Sequence, residues 1–266
     1  MARYDFRAPR LFVEDRLKAG TVIELDRDAA NYLRNALRLK DGDAILLFNG
    51  RDGEWRCLLS ASGKRALTAT AEEQTRPQTV ATDLHYLFAP LKHARLDYVV
   101  QKAVELGVSK LQPVITQHTQ VARVNVERMR ANVIEAAQQC GVISIPEVAE
   151  PTELKPLLAK LDADRLLVFC DEEAEIADPV AALAERRPQP SALVPAGTAP
   201  EAMPLAVLIG PEGGFSADER EALLKIPNVA RIALGPRILR ADTAAVAALA
   251  LVQAVLGDWV SGDAAL

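Results

Sequence analysis

The chain has 266 residues, half of them apolar and a quarter charged, with a formal net charge of −5 and a mean hydropathy of +0.05. That is enough chain for two domains with cores of their own. No apolar run reaches the roughly 18–20 residues that a membrane span needs, and Met1 to Arg10 is polar and charged, unlike a secretory leader. The expected location is therefore the cytoplasm, with no membrane partner.

Three widely spaced cysteines, Cys57, Cys140 and Cys170, form no C-x-x-C pair. This argues against a disulfide framework or a zinc site and leaves all three as packing residues. His85, His93 and His118 have no metal-ligand spacing, so no metal is expected. The charge is uneven: residues 1–80 are net +2 and residues 81–266 net −7. Arg3, Arg7, Arg10, Arg16, Arg34, Arg38 and Lys40 make the front end the one with the sign needed to hold phosphates.

Up to about residue 75 the pattern is of short strands broken by turn residues: Thr21 to Leu25, Ala44 to Phe48, Glu54 to Ser60 and Ala66 to Ala71. Asn49-Gly50 and Asp52-Gly53 mark a hairpin loop, and one helix, Ala29 to Leu39, interrupts the series. This predicts a small β-barrel or sandwich. From Leu84 the rhythm becomes strand then helix: strand Leu84 to Phe88, helix Ala94 to Leu106, strand Lys110 to Ile115, helix Val126 to Gln139 and strand Arg165 to Cys170. Helix Pro179 to Arg186, strand Ala206 to Ile209, helix Ala217 to Leu224, strand Arg231 to Leu234 and helix Thr243 to Leu256 complete it. Gly107 and Gly141 are stop signals after the first two helices. Such alternation implies a mainly parallel sheet covered by helices, an α/β fold. Five prolines between Arg186 and Pro204 read as a surface insertion, residues 185–204. In the last helix only Gln253 is polar from Ala244 to Leu256, which predicts burial on several sides and favours a dimer.

The most informative segments are Leu208-Ile-Gly-Pro-Glu-Gly-Gly-Phe-Ser216 and Leu234-Gly-Pro-Arg-Ile-Leu-Arg-Ala-Asp-Thr243. Each ends an apolar strand in Gly-Pro before a helix. Two such loops on neighbouring strands predict a ligand site held largely by backbone. Gly210 to Gly214 does not fit a P-loop or G-x-G-x-x-G, so nucleotide triphosphatase chemistry is not expected. Ser216 and Glu219 have the form of a capping box, and Asp242 is read as the N-cap of the last helix. Glu212 and Arg240, at the loop mouths, are the candidates for chemistry.

These stretches, with Gln101 to Gly107, Glu135 to Gly141, Leu37 to Asp43 and the Phe48 to Trp55 hairpin, resemble the RsmE-type ribosomal RNA methyltransferases of the SPOUT class. The resemblance covers nearly the whole chain. It implies a PUA-like RNA-binding β-barrel over residues 1–76 and a SPOUT α/β domain over residues 77–266 whose C-terminal segment threads into a trefoil knot. It further implies S-adenosylmethionine as methyl donor, N3 of a uridine in 16S rRNA of the small ribosomal subunit as acceptor, and a homodimer. The donor is expected against Leu208, Ile209, Gly210, Pro211, Glu212 and Gly213, against Leu234, Gly235, Ile238, Leu239 and Arg240, and beside the strand end Phe169 to Glu172. Arg240 is expected to stabilise charge on the acceptor base, with Glu212 and then Asp242 as the base; Arg10, Arg34 and Arg38 are expected on RNA phosphates. Members usually carry Glu where Asp242 stands, Arg where Val142 stands and Glu-Arg where Gln117-His118 lie. Two other readings remain open: a SPOUT enzyme acting on another RNA position, and a non-catalytic RNA-binding assembly factor.

Overall fold

A computed structural model describes residues 8–62, 66–121, 123–175, 178–187 and 203–259. They form two compact units: one comprises residues 8–80 with Ile134–Ile145, the other Ala81–Val133 with residues 146–259. The Pro-rich insertion lies mostly outside the described residues.

In the smaller unit, β1 (Arg10–Phe12), β2 (Val22–Leu25), β3 (Ala44–Phe48), β4 (Glu54–Ser62) and β5 (Ala66–Arg76) form one sheet in the order β1-β3-β4-β5-β2. Strand β1, absent from the sequence reading, runs parallel to β3; the other pairings are antiparallel. The sheet curls, because Leu11 at one end and Ile23 and Leu25 at the other belong to the same core as Ile45, Leu47 and Leu67. Asn49 secures the predicted hairpin loop by accepting from the N–H groups of Arg51 and Asp52 at 3.0 and 2.8 Å. The interrupting helix starts earlier than expected, as α1 (Arg27–Asn31), and continues as a π-turn over Tyr32–Ala36.

Residues Ile134–Ile145 also group with this unit: Phe12 N–H donates to Gln138 Oε1 at 2.9 Å, and Arg76 Nη2 to the Gly141 carbonyl at 2.9 Å. Beneath them Glu54, 3% exposed, accepts from Arg10 Nε at 2.6 Å, Arg76 Nη2 at 2.7 Å and Thr75 Oγ1 at 2.8 Å. Burial alone would push the Glu54 carboxyl up, but these hydrogen bonds outweigh it and hold the group below its ordinary value.

The larger unit runs β6 (Leu84–Phe88), α2 (His93–Glu105), β7 (Lys110–Ile115), the first half of α3 (Val126–Cys140, which from Ile134 on groups with the smaller unit), β8 (Glu147–Val148), β9 (Thr152–Glu153) and α4 (Leu154–Ala159). It continues with β10 (Leu166–Cys170), α5 (Pro179–Ala184), β11 (Leu205–Ile209), α6 (Ala217–Leu224), β12 (Val229–Ile232) and α7 (Ala241–Val255). Its sheet has the order β12-β10-β11-β6-β7-β8, with β9 also on β7, and every pairing is parallel. Every residue of β10 and β11 is buried, as a parallel sheet covered on both faces requires.

One expectation is corrected here: strands β11 and β12 are not neighbours, because β10 lies between them. Within the single chain one side of α7 is buried: Ala245, Ala248, Leu249 and Val252 are covered, while Val246, Ala247, Ala250 and Leu251 are part-exposed. Its one polar residue in that stretch is satisfied, since Gln253 Nε2 donates to the Leu106 carbonyl at 2.7 Å and its Oε1 accepts from Asp258 N–H at 3.2 Å. Of the cysteines, Cys57 and Cys170 are buried, and burial pushes both thiols up to about 12; Cys140 is exposed at the end of α3.

Where the strands begin, the sheet is closed by charge pairing. Arg165 grips Asp83 with both terminal nitrogens, at 2.9 and 2.8 Å, and also donates to the Leu205 carbonyl at 2.9 Å. His85 Nε2 lies 3.2 Å from the same carboxylate. Burial, then the nearby guanidinium of Arg165, push this imidazole down to about 4, because Asp83 is already committed to Arg165.

Candidate functional site

Parallel strands end at one edge of a sheet, where α/β folds place their ligands. Cys170 at the end of β10 is in register with Ile209 of β11 on one side and Ile232 of β12 on the other. The two motif loops therefore leave the same edge about 10 Å apart, two strand spacings, with the segment after β10 between them.

The first loop is a tight turn closed by Gly214 N–H on the Pro211 carbonyl at 2.9 Å. Its glycines are dictated by space as well as by conformation. A Cβ at Gly210 would stand 2.5 Å from the Phe215 ring, which meets Phe169 edge-on with ring centroids 5.1 Å apart. Gly214 has φ +68°, and a Cβ there would reach within 2.2 Å of Glu172 Oε1. The predicted capping box is present: Ser216 Oγ accepts from Glu219 N–H at 3.3 Å and Glu219 Oε2 from Ser216 N–H at 3.0 Å. Glu219 also accepts from Gln117 N–H at 2.8 Å, and His118 Nδ1 lies 3.1 and 3.0 Å from the Gly213 and Gly214 carbonyls. Because both neighbours are carbonyl oxygens, Nδ1 is the donor in these contacts. The Gln117-His118 pair thus braces the turn. Glu212 projects into solvent, 3.5 Å from Arg95 of α2.

The second loop, residues 233–240, is more open. Gly235 has φ +93° and nothing within 4 Å of where a Cβ would be, so its backbone and not crowding requires glycine. Ile238 is 99% exposed, which leaves an apolar side chain facing solvent at the loop tip. Arg240, not Asp242, is the N-cap of α7; it has extended backbone and makes no side-chain cap bond. Asp242 falls in the first turn instead, where an acidic side chain suits the helix dipole. Its carboxylate accepts from Thr243 N–H at 2.9 Å and lies 3.8 Å from Arg240 Nε.

Asp171, within the strand end expected beside the donor but not singled out from the sequence, ties the two loops together. Its side chain is fully buried; it accepts from Arg220 Nε of α6 at 3.1 Å and from Arg231 Nε of β12 at 2.8 Å. Arg220 pairs in addition with Glu172 and Glu173 at 3.3 and 3.1 Å. One carboxylate at the end of β10 thereby fixes the helix after the first loop and the strand before the second.

The site residues expected from sequence divide into three groups. Gly210, Pro211, Glu212 and Gly213 gather with Leu234, Gly235, Ile238, Leu239 and Arg240 at this edge. Leu208, Ile209 and Phe169 are near it but are buried in the core, at 0%, 4% and 0% exposure. Arg10 does not fit its expected role: its guanidinium is buried on Glu54 and cannot meet a phosphate. Arg34 is half-buried with Nη2 on the Ala66 carbonyl at 3.1 Å, and Arg38 is exposed with φ +57°. Among the described residues no group of three or more His, Cys, Asp or Glu side chains is placed to hold a metal. No helix among them is long and apolar enough to cross a membrane.

Comparison with known proteins adds to this geometry. Residues 78–253 match the model of an RNA methyltransferase domain and residues 25–72 that of an RNA methyltransferase PUA domain. The ribosomal RNA small subunit methyltransferase E of Rickettsia conorii is 31% identical over 245 residues, 92% of this chain and 94% of that protein. The fold is similar to that of a ribosomal RNA small subunit methyltransferase E from Neisseria gonorrhoeae bound to S-adenosyl methionine. That match has a TM-score of 0.76 at 26% identity and covers 93% of this chain and 97% of the other. A methyltransferase from Legionella pneumophila in complex with bound SAM matches with the same TM-score of 0.76 at 26% identity, over 93% of this chain and 98% of the other.

Proposed function

Because the chain belongs to the ribosomal RNA small subunit methyltransferase E family of RNA methyltransferases, we propose that it transfers a methyl group from S-adenosylmethionine to N3 of a uridine in 16S rRNA. The observation that carries this reading is the pair of glycine-proline loops at one sheet edge, with the end of β10 between them. The residues present fit the donor: Gly235 leaves its face open to close approach, Leu234 and Leu239 are half-buried beside it, and Glu212 offers a carboxylate to a cation.

When bound, S-adenosylmethionine supplies an electrophilic methyl group on a sulfonium centre. The chain's own residues do the rest. The uracil imide must lose its N3 proton, and negative charge then spreads to the flanking carbonyl oxygens. Arg240, exposed at the start of α7, presents paired N–H donors for that charge. Asp242, 3.8 Å away, orients the guanidinium. Glu212 is the first candidate to take the proton and Asp242 the second. Loop geometry supplies the remaining contribution, which is position.

The acceptor must be unpaired or flipped to reach the loops, with Arg34 and Arg38 holding backbone phosphates. The part-exposed face of α7 and the exposed Ile238 meet a second copy, giving a homodimer. From the sheet's far edge at β12 the chain returns to lay α7 against α2, α5 and β11; that path supports the expected threading of the C-terminal segment. The substrate places the enzyme in the cytoplasm.

The test is nucleoside mass spectrometry of small-subunit rRNA incubated with the purified protein and S-adenosylmethionine. The expected product is a single 3-methyluridine. Methylation of a ribose or another base would change the target, and no product with no donor heat in calorimetry would point to an assembly factor.

A further inference from the structure

Beside the donor loops, and lined by none of their residues, is a cavity of about 430 Å³ between the start of α2 and the start of α3. Its floor is apolar and buried, made by Leu91, Leu96 and Met129. Lys92 and Arg123 stand exposed at its mouth, and among the described residues no carboxylate pairs with either. The other charges nearby are matched. Asp97 accepts from Arg128 Nε at 2.9 Å and Asn132 Nδ2 at 2.7 Å, and Glu127 and Glu150 both face Arg130. Asn125 caps α3 through Oδ1, which accepts from Arg128 N–H at 2.9 Å, so its amide N–H groups remain as donors at the cavity wall. Two unmatched cations over an apolar floor, in a unit whose sequence is net acidic, complement an anion joined to a flat ring.

We infer that this cavity is a subsite for one nucleotide of the RNA strand beside the methylated uridine, its phosphate held by Lys92 and Arg123 and its base lying on Leu91, Leu96 and Met129. The inference rests on the reading of the chain as an RNA methyltransferase. The acceptor base itself does not occupy the cavity, because its N3 must meet the donor at the glycine loops and those loops do not line it. The subsite nevertheless adjoins them: Lys92 caps the helix whose Arg95 reaches Glu212 at 3.5 Å. A nucleotide seated here would fix the register of the strand and so select which uridine is presented.

The experiment compares wild type with the double variant Lys92→Ala/Arg123→Ala, the charge-keeping variant Lys92→Arg/Arg123→Lys, and Val121→Trp, which fills the cavity from a half-exposed position. A small-subunit rRNA fragment is the probe, with filter binding at several salt concentrations, KM for RNA, donor calorimetry and oligomeric state as readouts. The double variant should bind RNA at least tenfold more weakly, and its log–log salt slope should be shallower by about 0.7, the share of the one single-strand phosphate that is no longer neutralised. Donor affinity should be unchanged, and the charge-keeping variant should recover most of the loss. Val121→Trp should weaken RNA binding without altering the slope. The inference is overturned by RNA binding equal to wild type in both the double variant and Val121→Trp. Donor affinity that falls in parallel, or a change of oligomeric state showing that a second copy fills the cavity, would overturn it equally. Filter binding tests the subsite even if wild type transfers no methyl group, an outcome that counts against the proposed activity and not against the subsite.

Discussion

Where its strands begin, the parallel sheet carries Asp83, His85 and Arg165; where they end, it carries Asp171, Arg220 and Arg231. Both clusters are a carboxylate gripped by guanidinium groups, yet they serve different ends. At the first edge Arg165 closes on Asp83 and on the Leu205 carbonyl, leaving donors and acceptors paired with each other. At the second, the fully buried Asp171 holds two elements from beneath, and the loops above it leave Ile238, Arg240 and Glu212 facing outward. The same interaction seals one edge and serves as a foundation at the other, so pairing of charge alone does not distinguish structural from functional sites. What distinguishes them is whether the cluster's neighbours are satisfied by the chain itself.

Four substitutions or conditions would break or sharpen that contrast. Arg240→Ala removes an outward-facing group and should lower turnover by about 10²–10³-fold, the scale seen when one donor to a developing oxyanion is lost. Donor affinity and melting temperature should stay near wild type; turnover equal to wild type would remove Arg240 from the chemistry. Asp171→Ala strips the foundation and leaves Arg231 and the largely buried Arg220 without it. A loss of roughly 3 kcal/mol in urea unfolding is expected, accompanied by weakened donor binding, since both loops lose their anchor. Arg165→Ala at the closed edge should cost about 1–2 kcal/mol, because Asp83 is half-exposed and water can replace part of the pairing. Donor affinity should not change there, and a fall would show that the two edges are coupled.

The smallest effect is one of pH. His85 is pushed below its ordinary 6.5 to about 4, so the unfolded chain takes up a proton more readily than the folded one. Stability is therefore fully present above about 6.5 and is lost as pH falls toward 4, with a slope of at most about 1.4 kcal/mol per pH unit from this one group. His85→Gln should flatten the urea-midpoint profile across that window; an unchanged profile would mean that the imidazole titrates normally in the fold.

Most of the elements could be read from the sequence, because alternation at the start of β5 and the apolar runs of β3, β6, β10 and β11 are local signals. The capping box at Ser216 was legible for the same reason. What could not be read is whatever depends on distant pairing. Nothing local says that β10 inserts between β11 and β12, or that Arg231 and Arg220 converge on Asp171 from sixty and forty-nine residues away. Arg10 looks like any basic front-end residue until Glu54 is placed beneath it. Helix α4 escaped because Pro156 resembles a breaker, although in a first turn proline forgoes a hydrogen bond that would not form there. The side-chain direction of Phe169, into the core, was not legible, because a strand buried on both faces carries no alternation to tell its sides apart.

The central claim is that the two loops above Asp171 hold the methyl donor. A crystal structure with S-adenosylhomocysteine bound tests it most directly. The nucleoside should lie against the main chain of residues 210–213 and 234–240, with Gly235 at its face. Density in the cavity between Leu91 and Met129 instead, or loops left empty at saturating ligand, would contradict the account.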